Sequence, residues 1–289
     1  MNFSIITPSY KNSAWLKLCI NSIADQQGIT LEHIVQDSCS DDDTKNWLPQ
    51  ETRVKAFIEK DSGMYDAVNR GFRRAQGDIL AYLNCDEQYL PGALKRVADF
   101  FAANPNVEAV FSDTIVTDAN ADYICHRPTL VPQESSMWVR FPTLTCAMFI
   151  RRSVVQDKGI YFDTKWRDLG DFFYVRDLVT KKIRMALLPE MTSVFTDTGD
   201  NMNLKPNALR ERAVKWQMAP GWIRALKYFF ILQHRARLVL RPPVWQSPFD
   251  YSVYTLTSPT HRVTKHAAHP TTFWKGRLNL ATVTNPHNY

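Results

Sequence analysis

Glu59-Lys60-Asp61-Ser62-Gly63-Met64-Tyr65-Asp66-Ala67-Val68-Asn69-Arg70-Gly71 is followed by Ala75-Gln76-Gly77-Asp78 and then by Ile79-Leu80-Ala81-Tyr82-Leu83-Asn84-Cys85-Asp86-Glu87. Asp61-Ser62-Gly63 has the composition of a turn, and Tyr65–Ala75 has helical spacing. Ile79–Leu83 is a short apolar run of the kind that forms a buried strand, and it delivers Asn84, Asp86 and Glu87 to its far end. Hard cations such as Mg²⁺ or Mn²⁺ take carboxylate oxygen together with phosphate and water, so acids at a strand end suit a metal-bound phosphate. Taken alone, an Asp-Glu pair after a strand is usually a solvated turn.

The rest of the first half repeats the alternation. Phe3–Ile6, Leu31–Gln36, Val54–Ile58 and Ala109–Ser112 are short and apolar, whereas Ser13–Gln26 and Leu94–Ala103 have helical spacing, the former with Asn12 as N-cap. This order predicts an α/β fold with a mostly parallel sheet flanked by helices. Ligands of such sheets bind beyond the carboxyl ends of the strands. Those ends carry Thr7-Pro8-Ser9-Tyr10, Asp37-Ser38, Asp61-Ser62-Gly63 and Asn84-Cys85-Asp86-Glu87. Asp37 is suited equally to a ribose or base contact and to turn formation, while Asp41 to Asp43 read as turn and cap residues. Asp66 and Arg70 have the spacing of a surface ion pair, and Asn69 reads as a structural tie between helix and turn.

The chain has 289 residues and is 45% apolar, enough for one sizeable core with an appendage. Its five cysteines are odd in number and lack a Cys-x-x-Cys pair, which argues against a zinc site or a disulfide framework. The N-terminus reads as a strand, not a leader, and no run approaches the length of a spanning helix, so the expected location is cytoplasmic or peripheral on the inner face of the membrane.

Charge divides the chain. From Lys205 to Tyr289 thirteen Lys and Arg oppose only Glu211 and Asp250, a net of +11, while the first 204 residues hold 22 basic and 27 acidic side chains. The division predicts a unit at 1–203, with halves 1–111 and 112–203, and a basic, aromatic, mainly helical extension at 204–289. Within the extension, 221–241 reads as an amphipathic helix, with Trp222, Ala225, Leu226, Phe229, Leu232, Ala236 and Leu240 on one side. Such a helix either lies on an anionic membrane surface or packs on the domain. The acidic first half argues against nucleic acid as a partner.

Four ordered blocks carry a resemblance: Ile5-Ile6-Thr7-Pro8-Ser9-Tyr10, Glu32–Ser38, Asp61–Gly71 and Leu83–Glu87. Together they resemble the family-two glycosyltransferases with a GT-A fold, strongly over about the first 100 residues and weakly to about 200. The resemblance implies inverting transfer of a sugar from a nucleotide diphosphate sugar, usually a UDP-sugar, to a saccharide or lipid-linked saccharide acceptor, as in bacterial surface polysaccharide synthesis. It implies that Thr7, Pro8 and Tyr10 hold the nucleobase, that Asp37 contacts the uridine, and that Asp61 extends the nucleotide pocket. Asp86 matches the metal-binding aspartate for Mn²⁺ or Mg²⁺. Asn84 stands where the motif has its first acid, so it brings a hydrogen bond but no charge.

The resemblance extends to Phe162–Phe173, where an acid at the start of a helix is the base. Asp171 matches it, with helix capping as its structural reading and Asp168 as the second candidate. A place at the helix N-terminus implies that the dipole keeps Asp171 ionised. Asp197 and Asp200 fall where relatives close the site. The tail histidines His261, His266, His269 and His287 lack ligand spacing. A sugar-nucleotide nucleotidyltransferase would share the donor chemistry but carry a glycine-rich loop after the first strand, which Thr7–Tyr10 lacks. A non-catalytic membrane- or nucleic-acid-binding protein is the remaining alternative.

Overall fold

In β1 (Asn2–Ser9), Phe3 and Ile5 enter one apolar cluster and Ile6 enters another, as the two-residue period of a strand buried on both faces requires. A computed structural model describes residues 1–199, 206–241 and 246–274 of the chain. The first half continues with α1 (Ser13–Ala24), β2 (Thr30–Asp37), α2 (Thr44–Trp47), β3 (Lys55–Ile58), α3 (Met64–Arg74), β4 (Ile79–Tyr82), β5 (Glu87–Tyr89) and α4 (Ala93–Ala103). The middle holds β6 (Ala109–Asp118), β7 (Tyr123–Arg127), α5 (Glu134–Met137), β8 (Met148–Arg151), α6 (Arg152–Val155), α7 (Gly170–Thr180) and β9 (Met185–Asp197). Then follow α8 (Pro206–Met218), α9 (Gly221–Ala225), α10 (Lys227–Val239), β10 (Phe249–Thr255) and β11 (Ser258–Ala267).

The nine-stranded sheet runs β3-β2-β1-β4-β8-β6-β9-β5, with β7 paired to β6. Strands β3, β2, β1 and β4 are parallel, as predicted for the first half. Beyond β4 the sheet is mixed: β6 and β9 are parallel, but β8 is antiparallel to β4 and β6, β5 to β9, and β7 to β6. The expectation of a parallel sheet holds for β1 to β4, while the rest is mixed and includes one direct return, the β6–β7 hairpin.

Each face has its own core. Cys19 and Ile23 of α1 and Val97 and Phe101 of α4 cover Phe3, Ile5, Ile79, Ala81, Val110 and Phe149. On the other face Val68 and Phe72 of α3 and Phe172, Tyr174 and Leu178 of α7 cover Ile6, Leu80, Tyr82, Phe111 and Ile150. Asn12 occupies the N-cap of α1 without a side-chain cap bond. Asn69 ties α3 to a more distant segment than the turn, since its amide donates to the Phe162 carbonyl at 2.8 Å and accepts from the Phe162 amide at 2.9 Å. Arg70 pairs with Asp66 at 2.9 Å, as its spacing suggested. All five cysteines are free.

The extension is helical only at first. Residues 249–267 form a hairpin whose Tyr251, Val253 and Ala267 pack on Leu90, Ile115 and Val194. Arg262 of the hairpin grips Asp25 at 2.6 Å, and Gln88 exchanges two 2.8 Å bonds with the Tyr254 backbone. The 203/204 boundary, Asp200 and His287 lie outside the described residues. No helix among the described residues is long and apolar enough to cross a membrane.

The segment 221–241 breaks at Leu226 into α9 and α10. It packs through buried Ile223, Phe230 and His234. Just past α10, buried Arg241 pairs with buried Asp113 of β6 at 2.7 Å. The side read as apolar faces outward instead, with Trp222, Leu226, Phe229, Leu232 and Leu240 between 50% and 80% exposed.

Candidate active site

The parallel strands β1 to β4 end on one edge of the sheet, and a cleft of about 2280 Å³ opens there. Pro8, Tyr10, Asp61, Asn84, Asp86 and Asp171 all line it. Thr7 and Asp37 do not. Thr7 is fully buried in the sheet, with its hydroxyl 2.9 Å from His33 Nε2. Asp37 is buried too, and its two carboxylate oxygens accept from the Ser40 amide at 2.8 Å and the Ser40 hydroxyl at 2.7 Å. Of the two uses that suited Asp37, the turn is the one its side chain makes.

Tyr10 stands at the mouth, half-exposed, with the ammonium groups of Lys11 and Lys60 within 5.3 and 5.1 Å of its ring centre. An exposed ring between cations at a strand end is a stacking platform beside positive charge. Asp61 Oδ1 accepts the Gly63 amide at 2.9 Å, and Gly63, at φ +134°, precedes the first residue of α3. That backbone conformation explains glycine at this position. Asp66 in the first turn of α3 then accepts the Ser62 amide at 3.0 Å.

At the end of β4 the Asn84 amide donates to Glu87 at 2.8 Å, while the Glu87 amide donates to the Asn84 carbonyl at 3.1 Å. Glu87 is buried, and burial together with the neighbouring Asp86 charge pushes its pKa up to about 8. At neutral pH it is therefore mostly protonated and serves the turn. Asp86 is partly accessible from the cleft, receives no hydrogen bond from any other described residue, and is raised by burial. A bare carboxylate held partly out of water fits a cation. No group of three acidic, histidine or cysteine side chains among the described residues surrounds one. Asp86 would be the protein ligand of a Mn²⁺ or Mg²⁺ whose other ligands are phosphate and water.

Asp171 is the second residue of α7, so it is not the cap. The loop into the helix is held from α8: buried Glu211 accepts the Arg167, Asp168 and Leu169 amides at 2.8, 3.0 and 2.9 Å. Asp168, the second candidate, is engaged by Asn207 at 2.5 Å. Asp171 Oδ1 accepts the Phe172 amide at 2.7 Å, and its own amide donates to the Tyr65 hydroxyl at 3.1 Å. A Cβ on Gly170 would stand 2.5 Å from the Tyr65 ring, so that ring dictates glycine there.

Burial, opposed by the Phe172 amide and the charges of Lys215 and Arg212, sets Asp171 at about 6. The expectation that the helix end would dominate is corrected, because desolvation outweighs it. A carboxylate at about 6 is still mostly ionised at pH 7 and is a stronger base than an ordinary aspartate. Tyr82 lines the same cleft, and burial followed by the Asp171 charge pushes its phenol well above the ordinary value.

Tyr65, Glu211, Arg212 and Lys215 were not found from sequence. Tyr65 lies inside the motif, at the start of the stretch with helical spacing, and the other three sit in the segment read as a basic, aromatic, mainly helical extension. Asp197 lines the cleft and accepts the Trp274 indole at 2.9 Å.

Residues 4–157 match the family model described as "Glycosyl transferase family 2", just over half of the chain. An uncharacterized glycosyltransferase of Nostoc sp. is 26% identical over 59% of this chain and 57% of its own length. A putative teichuronic acid biosynthesis glycosyltransferase of Bacillus subtilis is 31% identical over 34% of this chain and 40% of its own. The chain thus spans about half the length of the curated relatives it matches. Among solved structures, S. aureus TarS with UDP-GlcNAc aligns at TM-score 0.58 with 19% identity, covering 82% of this chain and 72% of that one. A Pyrobaculum calidifontis mannosyltransferase with GDP-Man and Mn²⁺ aligns at 0.53 with 16% identity, covering 84% and 81%. The fold is that of the GT-A glycosyltransferases.

Proposed function

Because this chain belongs to glycosyl transferase family 2, we propose that it moves a sugar, with inversion, from a nucleotide diphosphate sugar to an acceptor hydroxyl in the building of a bacterial surface polysaccharide or glycolipid. The observation that carries the reading is the pairing in one cleft of Asp86, bare at a strand end, with Asp171, held near pH 6 at a helix start. Tyr10, Pro8 and Asp61 border the same cleft and would hold the nucleotide, and Asn84 would hydrogen-bond a ribose or sugar hydroxyl. A UDP-sugar is the proposed donor, supported by the neighbour solved with UDP-GlcNAc.

In the proposed reaction the acceptor oxygen attacks the anomeric carbon, the bond to the diphosphate breaks, and the acceptor proton passes to the Asp171 carboxylate. Tyr65 and Glu211 would fix the base by holding its own amide and the loop just before it. Asp86 would hold Mn²⁺ or Mg²⁺, which when bound offsets the charge of the diphosphate. A neighbour solved with GDP-Man and Mn²⁺ supports that part.

A lipid-linked saccharide is the proposed acceptor, with α8 to α10 resting on the membrane. Among the described residues, ten of the fifteen exposed large apolar side chains fall between Leu209 and Leu240, eight on these helices and two at their ends. Arg210, Arg224 and Arg235 are exposed beside them. Apolar area bordered by arginines complements an anionic lipid surface. α8 and α10 also line the cleft, so this attachment would hold its mouth at the surface where such an acceptor resides.

The test is to titrate nucleotide diphosphate sugars into the protein with Mn²⁺ and follow binding heat and donor hydrolysis. Binding by one nucleotide class with slow hydrolysis supports the reading, and binding by none refutes it.

A further inference from the structure

The part of the cleft formed by β7, the segment after α5, and α10 contains Arg127, Arg140 and His234. His234 is 5% exposed, and its Nδ1 has no hydrogen-bond partner among the described residues. The side chain of Arg127 borders the cleft and makes no hydrogen bond or ion pair to any described residue. The groups whose charges bear on His234 are Arg140, Arg237 and Arg127, with no carboxylate among them. Arg237 is occupied by the Val131 carbonyl at 2.8 Å and the Ser136 hydroxyl at 3.4 Å. Burial lowers both Arg127 and His234 from their ordinary values, as expected where cations are withdrawn from water without an anion. Arg127 and Arg140 are only partly buried, so their guanidinium groups can meet an anion that enters the cleft.

We propose that Arg127, Arg140 and His234 form a binding site for a phosphoryl group of the acceptor. The word acceptor rests on the glycosyltransferase reading; the anion site rests on these three side chains. Two guanidinium groups and an imidazole offer more N–H donors than a planar carboxylate uses, whereas a phosphoryl group accepts from all three. The site is separate from the donor end. Arg127 pairs with Thr114, Thr114 with Ser193, and Ser193 with Tyr89 of the strand that begins at Glu87. Three strand spacings, about 14 Å, therefore separate Arg127 from that strand. A diphosphate held at Asp86 leaves Arg127 free for a second anion. Acceptors meeting this requirement are a phosphate-linked lipid carrier or a phosphate-containing polymer.

The experiment uses the full chain, first saturated with UDP and Mg²⁺, and titrates inorganic phosphate and farnesyl phosphate by calorimetry. Both probes should bind alongside UDP, and Arg127→Gln should weaken both by about tenfold while leaving UDP affinity unchanged. Arg127→Lys should recover part of the loss, and His234→Gln should show a smaller one. Tighter binding of farnesyl phosphate would identify a lipid carrier as the source of the phosphoryl group, and equal binding a soluble or polymeric one. Absence of phosphate binding, its displacement by UDP, or equal affinity in Arg127→Gln would overturn the proposal. Failure of UDP itself to bind would count against the donor reading, and the phosphate titration would still decide this site.

Discussion

The backbone amide of Asp171 donates to the Tyr65 hydroxyl at 3.1 Å, joining two residues 106 positions apart in the chain. The bond connects α3 to α7, the helix that carries the proposed base. Tyr65 also stacks on Phe162, whose backbone is held by Asn69 of the same helix. Asp171, the proposed base, is thereby set relative to the ends of β1 to β4 by side chains of α3. Tyr65→Phe should cost about 1 kcal/mol of stability and lower the transfer rate while leaving nucleotide affinity unchanged. Gly170→Ala should cost more, about 1–3 kcal/mol, because the ring must move. Denaturant midpoints and a nucleotide titration check both, and an equal loss of nucleotide affinity would contradict the separation.

Protonation of Asp171 should govern the acid limb of the rate. With its pKa near 6, transfer should fall as pH drops through that value. Lys215→Met removes a nearby positive charge and should move the limb to higher pH. A limb near the ordinary aspartate value in the wild type would remove Asp171 from the role.

The same shift has a consequence for stability. A carboxyl whose folded pKa is raised from 3.8 to about 6 contributes stability that is present below the lower value and lost as pH rises through the upper one. Asp171→Asn should therefore abolish transfer yet raise the melting temperature at pH 7.5, by roughly 1–3 kcal/mol in stability terms. A lower melting temperature would show that the carboxylate is structural.

Glu211 tests whether the extension belongs to the site. It is 8% exposed and accepts three backbone amides of the loop before α7. Glu211→Ala leaves these amides without their acceptor, so about 3 kcal/mol should be lost and kcat should fall with little change in nucleotide affinity. Glu211→Gln, which still offers an acceptor, should recover part of both.

Much of this organisation was legible. The strands β1 to β4, α3 and the acids at the end of β4 follow from apolar period and turn composition, which are local signals, whereas β5 (Glu87–Tyr89) carries no such signal. What was not legible depended on tertiary contact. Thr7 and Asp37 sit at strand ends, but only the packing shows that one points into the sheet and that Ser40 takes the carboxylate of the other. The hairpin at 249–267 was hidden by the basic composition of its surroundings, although Tyr251 and Val253 alternate as a strand would. In 221–241 the apolar period shows neither the break at Leu226 nor which side meets the domain.

For those helices, Phe229→Ser with Leu232→Ser should reduce cosedimentation with vesicles containing anionic lipid by more than tenfold, since each side chain contributes about 1.5–3 kcal/mol when buried. Neither substitution touches the cleft residues named above. No pelleting of the wild type, or a stable dimer that the double substitution dissociates, would show that something other than a membrane covers this face.

The central claim is that Asp86 organises a metal-assisted nucleotide site. Calorimetric titration of UDP into the wild type and into Asp86→Ala, each with and without Mn²⁺, tests it most directly. The account predicts that Mn²⁺ strengthens UDP binding in the wild type and that Asp86→Ala removes the gain. Equal UDP affinity in both proteins with Mn²⁺ present would contradict it.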